Sequence, residues 1–361
     1  MKILIISTNS DLAGVPIYVS ILGRGLHANG YQVLFMFGSQ GPVMDALTAE
    51  GFTSYLMAGL ESRLTPLADI LILIRILKCL RSCAPDLVHL NSSKSALLGR
   101  LACGFLGIPC VYTVHGWAFG KGRPFLQSAI SYLLELSFSP LVSSYIFVAQ
   151  QDLKIATRLL FLPRRKLFHV FNGIPESNEC SSLPVFRYDV LMLARIHPQK
   201  DHETLLKALA KSPFSLALAG TGTDSVRFID YCRGILGDAY SNVDFLGPRS
   251  DVELLIASSK VIALTSVYES LPISLIEALR AGRPIVASDV GDVSSIVLHG
   301  VNGFVCPVGD SSSISSSIHA ILSDNGLAAS MGSASRLRYE ERFSSAAMVQ
   351  SVQAVYADSL P

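Results

Sequence analysis

A chain of 361 residues exceeds what one hydrophobic core usually supports, so two domains are expected; half its residues are hydrophobic and only 16% charged, which furnishes both cores and excludes a disordered chain. A formal net charge of +1 excludes a globally basic nucleic-acid binder, whose phosphate contacts need many concentrated Lys and Arg. Seven cysteines, at positions 79, 83, 103, 110, 180, 232 and 306, are scattered without Cys-x-x-Cys spacing and read as buried thiols of a reducing compartment.

The N-terminal MKILIIS passes directly into a strand pattern and lacks the longer apolar stretch and cleavage site of a secretory signal. Lys2 to Ser7 reads as a strand, Ile17 to Leu26 as a helix stopping near Gly30, and Tyr31 to Phe37 as the next strand. Leu67 to Ser82 reads as a helix closed by Ala84-Pro85, where the ring limits continuation. Cys79 and Cys83 fall on one face of it, but no His or second Cys pair stands at ligand spacing to complete a metal site. Asp86 to Leu90, Pro109 to Val114 and Ser144 to Ala149 are further strands, separated by helices at Ser95 to Leu106 and Phe125 to Ser137. The longest apolar stretches, Leu67 to Leu77 and Leu133 to Ala149, are broken by Asp69, Arg75 and Glu135 and fall short of the roughly 20 residues needed to cross a bilayer.

A turn-rich stretch, Asn172-Gly173-Ile174-Pro175 followed by Glu176 to Ser182, suits a linker. The pattern then restarts, with strands at Tyr188 to Leu193, Ser215 to Ala219, Val243 to Leu246, Val261 to Leu264 and Pro284 to Ala287. Helices are expected between them at Asp201 to Ala210, Ser225 to Ile235, Asp251 to Ala257 and Pro272 to Ala281. Ser311 to Ser317 is a local Ser-rich stretch. The alternation predicts an α/β protein of two doubly wound, Rossmann-like domains, 1–172 and 173–344, with a terminal helix at 345–361 expected to pack back on the first.

Ligands of open parallel sheets sit outside the carboxyl ends of the strands, so polar residues just after the apolar runs are the candidates. Arg195 and Lys200 follow the strand at Val190 to Ala194, near a helix N-terminus where backbone N–H groups and the dipole favour a diphosphate; the plainer reading is two surface cations. Glu269 and Glu277 flank Pro272, one in a loop and one on the second helical turn, able to accept from the hydroxyls of one elongated ligand or simply to cap the helix and face water. Gly220 lies in a Gly-Thr-Gly segment that lets a ligand approach the backbone or makes a tight turn. His115, Gly116 and Trp117 follow a strand, offering an imidazole to a substrate hydroxyl and an indole to a sugar face. The dinucleotide fingerprint is absent after the first strand, where Ser7 to Gly14 holds one glycine, so nicotinamide chemistry loses support.

The segments LARIHPQKD, LAGTGTD, VDFLG and SVYESLPISLIEALRAGRPIVAS resemble, in the same order, the second domain of glycosyltransferase family 4. The first half adds AGVPIYVSILGRGLHANGYQV, PDLVHLNSSKSALLGRLA, YTVHGWAF and VFNGIP, similar to members that build bacterial surface polysaccharides. That resemblance implies the twin-Rossmann GT-B fold with facing domains, a donor site mainly on the second, and retention of anomeric configuration. By it Arg195 and Lys200 neutralise the donor diphosphate, Glu277 binds the ribose, and Glu269 with the backbone of Ser270 and Leu271 holds the sugar, which His115 faces. Gly14 and Gly220 join the donor-binding set. Ala13-Gly14-Val15 stands where paired glycines are frequent, and Ala194 and Asp201 stand where glycine often flanks the Arg and Lys.

With no Asp-x-Asp in the chain, these cations are expected to replace a metal ion, and no cofactor is called for beyond the nucleotide-diphosphate sugar, a UDP-sugar by preference, as co-substrate. The acceptor is expected to be a lipid-linked saccharide or polysaccharide, and the location cytoplasmic. Arg63, Arg75, Lys78 and Arg81 among the aliphatic residues of Leu64 to Leu80, with Lys121 and Arg123 before Phe125 to Phe138, suggest peripheral contact with an anionic membrane. The competing readings are a non-catalytic nucleotide-sugar binding scaffold and a sugar-nucleotide epimerase, separated by whether product requires an acceptor.

Overall fold

The computed structural model describes residues 1–11, 14–60, 65–119, 124–176, 186–269 and 271–360. They form two compact units, the first comprising Met1–Pro175 and Ser345–Pro361, the second Glu176–Ser344.

The first unit runs β1 (Lys2–Ser7), α1 (Gly14–Ala28), β2 (Gln32–Phe37), α2 (Pro42–Ala49), β3 (Thr53–Leu56), α3 (Pro66–Cys83), β4 (Leu87–Leu90), α4 (Ser93–Leu106), β5 (Cys110–Val114), α5 (Phe125–Phe138), β6 (Ser144–Phe147), α6 (Gln150–Arg158) and β7 (Leu167–His169). Its strands are all parallel, in the order β3-β2-β1-β4-β5-β6-β7. Strand periodicity divides the aliphatic runs between two faces. Leu4, Ile6, Leu34, Met36, Val88 and Leu90 point to one core, Ile3, Ile5, Val33, Phe35, Phe37 and Leu87 to the other. Both faces are covered by helices, which is why these strands are apolar throughout rather than alternating.

Glu135, an apparent interruption of an apolar run, is a buried ion-pair partner: Arg100 on α4 reaches its two carboxylate oxygens at 2.7 and 3.1 Å, and the Tyr145 hydroxyl adds a bond of 3.2 Å. The bidentate geometry compensates both desolvated charges and ties α4 to α5. Trp117 does not line a cleft: it is buried in the core, stacked on Phe119 and donating to the Asp152 carbonyl.

The second unit runs β8 (Tyr188–Leu193), α7 (His202–Leu209), β9 (Leu216–Ala219), α8 (Val226–Leu236), β10 (Val243–Gly247), α9 (Val252–Ala257), β11 (Ser259–Leu264), α10 (Ile273–Arg280), β12 (Ile285–Ser288), α11 (Val293–Ile296), β13 (Gly303–Cys306), α12 (Ser311–Ser323) and α13 (Asn325–Arg338). Its parallel sheet has the order β10-β9-β8-β11-β12-β13, the first unit's order repeated over six strands. The Ser-rich segment opens α12. Asp310 caps it by accepting from the Ser313 N–H, and Ile314, Ile318 and Ile321, spaced to share one face, are buried. The final helix, α14 (Ser345–Ser359), belongs to the first unit, where Met348, Val349, Val352, Val355 and Tyr356 join the core beside α1. No helix of the described residues is long and apolar enough to cross a membrane.

Candidate active site

Each sheet reverses its strand order once, between β1 and β4 and between β8 and β11, and at such a switch point the loops leaving adjacent strands part to leave a crevice. The sequence candidates fall into two sets, one beside each crevice.

In the second unit, the loop after β8 and the loop after β11 are stitched together. The Val267 N–H donates to the Gln199 carbonyl at 2.8 Å, the Gln199 side chain to the Tyr268 carbonyl at 2.8 Å, and Thr265 Oγ1 to the Asp201 carbonyl at 2.8 Å. Asp201 takes a left-handed backbone, φ 45°, and its carboxylate accepts from Thr204 Oγ1 at 2.6 Å, starting α7. A position that suits glycine is thus held by a capping Asp, one of the few other residues that tolerate it. This stitching sets the chemistry. Lys200 Nζ pairs with Glu269 Oε1, which also accepts from Ser266 Oγ at 2.7 Å, leaving Oε2 of Glu269 without a bond among the described residues. Lys200 and Glu269, expected as separate ligand contacts, are therefore each other's partners.

Arg195 is exposed and makes no hydrogen bond or ion pair with described residues. Glu277, on the second turn of α10, is partly buried rather than solvated. Its carboxylate has no bonding partner among described residues, and burial raises its pKa, with Arg280 opposing and Glu253 adding to the shift. Pro272 is the residue preceding α10, not part of its first turn. Leu271 lies just before it, partly buried; Ser270 lies outside the described residues.

Gly220 is needed as glycine by the chain itself, whether or not a ligand approaches it. At φ 143°, a Cβ there would lie 2.3 Å from the Ala194 carbonyl oxygen, so the loop after β9 closes on the end of β8.

In the first unit, His115 follows β5 and sits half-buried between Tyr18 of α1, whose ring meets it edge-on at 4.7 Å, and Asn91, whose Oδ1 is 3.4 Å from its Nε2. Desolvation pushes its pKa down to about 3, so the ring is neutral near neutral pH. Behind it lies a buried network that sequence reading missed. His89 Nδ1 meets the Tyr356 hydroxyl at 2.5 Å and His89 Nε2 meets Thr113 Oγ1 at 2.6 Å, which brings the C-terminal helix to the same strand ends. The only cue was the sequence His89-Leu90-Asn91 at a strand end, polar residues where the aliphatic run should continue. Gly14 opens α1, and among the described residues beyond its chain neighbours and its own helix backbone no atom lies within 4 Å of where its Cβ would stand.

Two doubly wound domains of matching strand order, one with charged residues beside its switch point and the other with a neutral imidazole, are the architecture found in GT-B glycosyltransferases. The chain belongs to glycosyltransferase family 4: residues 12–178 match the family described as Glycosyltransferase Family 4 and residues 177–338 that described as Glycosyl transferases group 1. It is 26% identical over 310 residues, 80% of this chain and 79% of the relative, to the UDP-Gal:alpha-D-GlcNAc-diphosphoundecaprenol alpha-1,3-galactosyltransferase of Escherichia coli. It is 26% identical, over 75% of this chain and 76% of the relative, to the putative glycosyltransferase EpsD of Bacillus subtilis. Among solved structures, that of Anabaena Alr3699/HepE in complex with UDP superimposes with a TM-score of 0.82 at 20% identity, covering 99% of this chain and 100% of that one. The lipopolysaccharide outer core galactosyltransferase WaaB gives 0.75 at 17% identity over the whole of both chains. The protein is a glycosyltransferase of the GT-B fold.

Proposed function

We propose that this enzyme moves a sugar from a UDP-sugar to a lipid-linked saccharide, with retention of configuration and without a metal ion, in the assembly of a bacterial surface polysaccharide. The observation that carries the reading is the charge set beside the second switch point: Arg195 and the Glu277 carboxylate, neither with a bonding partner among the described residues, and a Lys200 oriented by Glu269. As the bond from the anomeric carbon to the diphosphate breaks, negative charge collects on the leaving oxygen, and fixed cations stabilise it where it forms. The acceptor oxygen bonds to that carbon on the face the diphosphate leaves, its proton passing to the departing phosphate oxygen, so no protein nucleophile is assigned. Glu277 accepts from ribose hydroxyls, Oε2 of Glu269 and the backbone at Ser270 and Leu271 hold the sugar, and neutral His115 faces one of its hydroxyls.

The relatives that act on diphosphoundecaprenol-linked or O-antigen substrates support a lipid-linked acceptor. So does the surface of the first unit. Helix α3 buries Ile72, Ile76 and Leu80 but turns Leu67, Ile70, Leu71 and Ile74 outward, and α5 exposes Phe125, Leu126, Ile130 and Leu133, with Leu67 and Phe125 exposed by 83% and 89%. Arg75 and Lys78 are exposed on α3; Arg63, Lys121 and Arg123 lie outside the described residues. These apolar faces suit a lipid surface that carries the acceptor.

The test is turnover of purified protein with a panel of nucleotide sugars and an undecaprenyl-diphosphate saccharide. Product is expected only with both substrates, and undiminished in excess EDTA. Product from donor alone would indicate an epimerase, and abolition by EDTA with rescue by magnesium or manganese would overturn the metal-free step. For the membrane, Leu71→Glu with Leu133→Glu should reduce co-sedimentation with vesicles; unchanged sedimentation removes these faces from the account.

A further inference from the structure

An imidazole offers a hydroxyl either a donor or an acceptor, and which nitrogen carries the proton decides which. Asn91 makes that choice for His115. Its own N–H donates to the Ile6 carbonyl at 3.0 Å, pinning the residue to the adjacent strand, and its side chain is buried. Side-chain Nδ2 donates to the His89 carbonyl at 3.3 Å, while Oδ1 lies 3.4 Å from His115 Nε2. Turning the amide over would set Oδ1 against the His89 carbonyl oxygen, two acceptors with no proton between them, so the backbone of β4 fixes the amide's orientation. An amide oxygen only accepts. His115 Nε2 must therefore carry the proton, and Nδ1, which bonds to none of the described residues, is left as a lone-pair acceptor. Tyr18, edge-on to the ring, opposes its rotation out of this geometry.

We infer that Asn91 is a positioning residue that locks His115 in its Nε2–H tautomer and keeps Nδ1 free to accept from a hydroxyl of the bound sugar. The inference rests on His115 facing that sugar, as proposed above. Sugar hydroxyls donate as readily as they accept, so a fixed acceptor selects one orientation of one hydroxyl, which a ring free to exchange tautomers does not. Among the described residues the titratable groups packed against His115 are Tyr18 from α1 and His89 from β4, both kept neutral by burial near neutral pH, and no carboxylate among them opposes the desolvation of the ring.

Two measurements test it. In the 15N spectrum of histidine-labelled wild-type protein, with the His115 signals assigned by their loss in His115→Gln, Nε2 is expected protonated and Nδ1 unprotonated; a proton on Nδ1 overturns the assignment. In the second, Asn91→Asp keeps an acceptor opposite Nε2–H but adds a negative charge that favours the imidazolium, which has no lone pair at Nδ1. Its kcat/KM should acquire an acid limb, falling about tenfold per unit of pH below the new pKa, where wild type stays flat. Asn91→Leu, similar in size and without an acceptor, should lower kcat several-fold with no new limb. Equal, pH-independent losses in both variants would make Asn91 merely structural and sink the inference. If the tautomer is as assigned but His115→Ala turns over normally, the sugar-facing reading of His115 fails and the inference falls with it.

Discussion

The two units share a strand order and differ in what they place at its reversal. Beside the first switch point stand His89, Asn91, Thr113, His115 and Tyr18, all uncharged, with both imidazoles held neutral by burial. Beside the second stand Arg195, Lys200, Glu269 and Glu277, of which only Lys200 and Glu269 neutralise each other. The sheet determines where a side chain arrives; the few residues after each strand determine what it does there. A neutral crevice suits hydroxyls, which need directed single bonds, while a charged one suits a diphosphate, whose charge rewards fixed cations.

The sharpest way to break that contrast is Lys200→Ala. It removes a cation proposed for the diphosphate and also strands the nearly buried Glu269 carboxylate, a loss compounded of a charge-assisted bond and an unpaired charge. We expect roughly 3 kcal/mol, about a hundredfold or more in kcat/KM. Donor calorimetry and turnover measure it. Because the second effect needs the Glu269 charge, Lys200→Ala with Glu269→Gln should recover part of the loss, and no coupling in that double-mutant cycle would mean the ion pair does not shape the site.

Gly220→Ala should cost about 2 kcal/mol of stability, because the new methyl collides with the Ala194 carbonyl and the backbone sits where L residues are strained. A denaturant midpoint unchanged from wild type would show that the loop after β9 yields easily.

Glu277→Gln should weaken donor binding about tenfold and, at neutral pH, stabilise the free protein. Burial raises the folded-state pKa of Glu277 above its unfolded value, so the native state holds the proton more tightly, and stability falls as pH rises through that interval. The penalty is fully present above the folded pKa and absent below the unfolded one, so the gain in melting temperature should vanish in acid. A gain that persists in acid would trace to something other than the charge.

Much of this was legible in the residues. Long aliphatic runs such as Lys2 to Ser7 and Tyr188 to Leu193 announced buried parallel strands, and charges directly after them announced the second crevice. Short, half-exposed edges such as β3 and β7 carried too little pattern, and α12 hid three isoleucines among serines. Pairing was harder. Lys200 and Glu269 are 69 positions apart and His89 and Tyr356 are 267 apart, and residue type alone does not say which polar groups satisfy each other. The same holds for Trp117, whose size suits a sugar platform and a core equally.

The smallest effect belongs to Gly14→Ala, and it separates two reasons for a glycine. At Gly220 the chain itself forbids a side chain. Gly14, by contrast, opens α1 with no described residue beyond its chain neighbours and its own helix backbone crowding its Cβ position, so the described structure makes no demand for glycine there. Alanine lowers the entropy of the unfolded chain and favours helix, so stability should rise by a few tenths of a kcal/mol, up to about 1. If Gly14 lies where a ligand approaches the start of α1, the added methyl should weaken donor binding severalfold despite the firmer fold. Loss of affinity together with a raised melting temperature would be the signature of a glycine kept for the ligand. A raised melting temperature with unchanged affinity would remove Gly14 from the site and leave the neutral crevice to His115 and the residues that hold it.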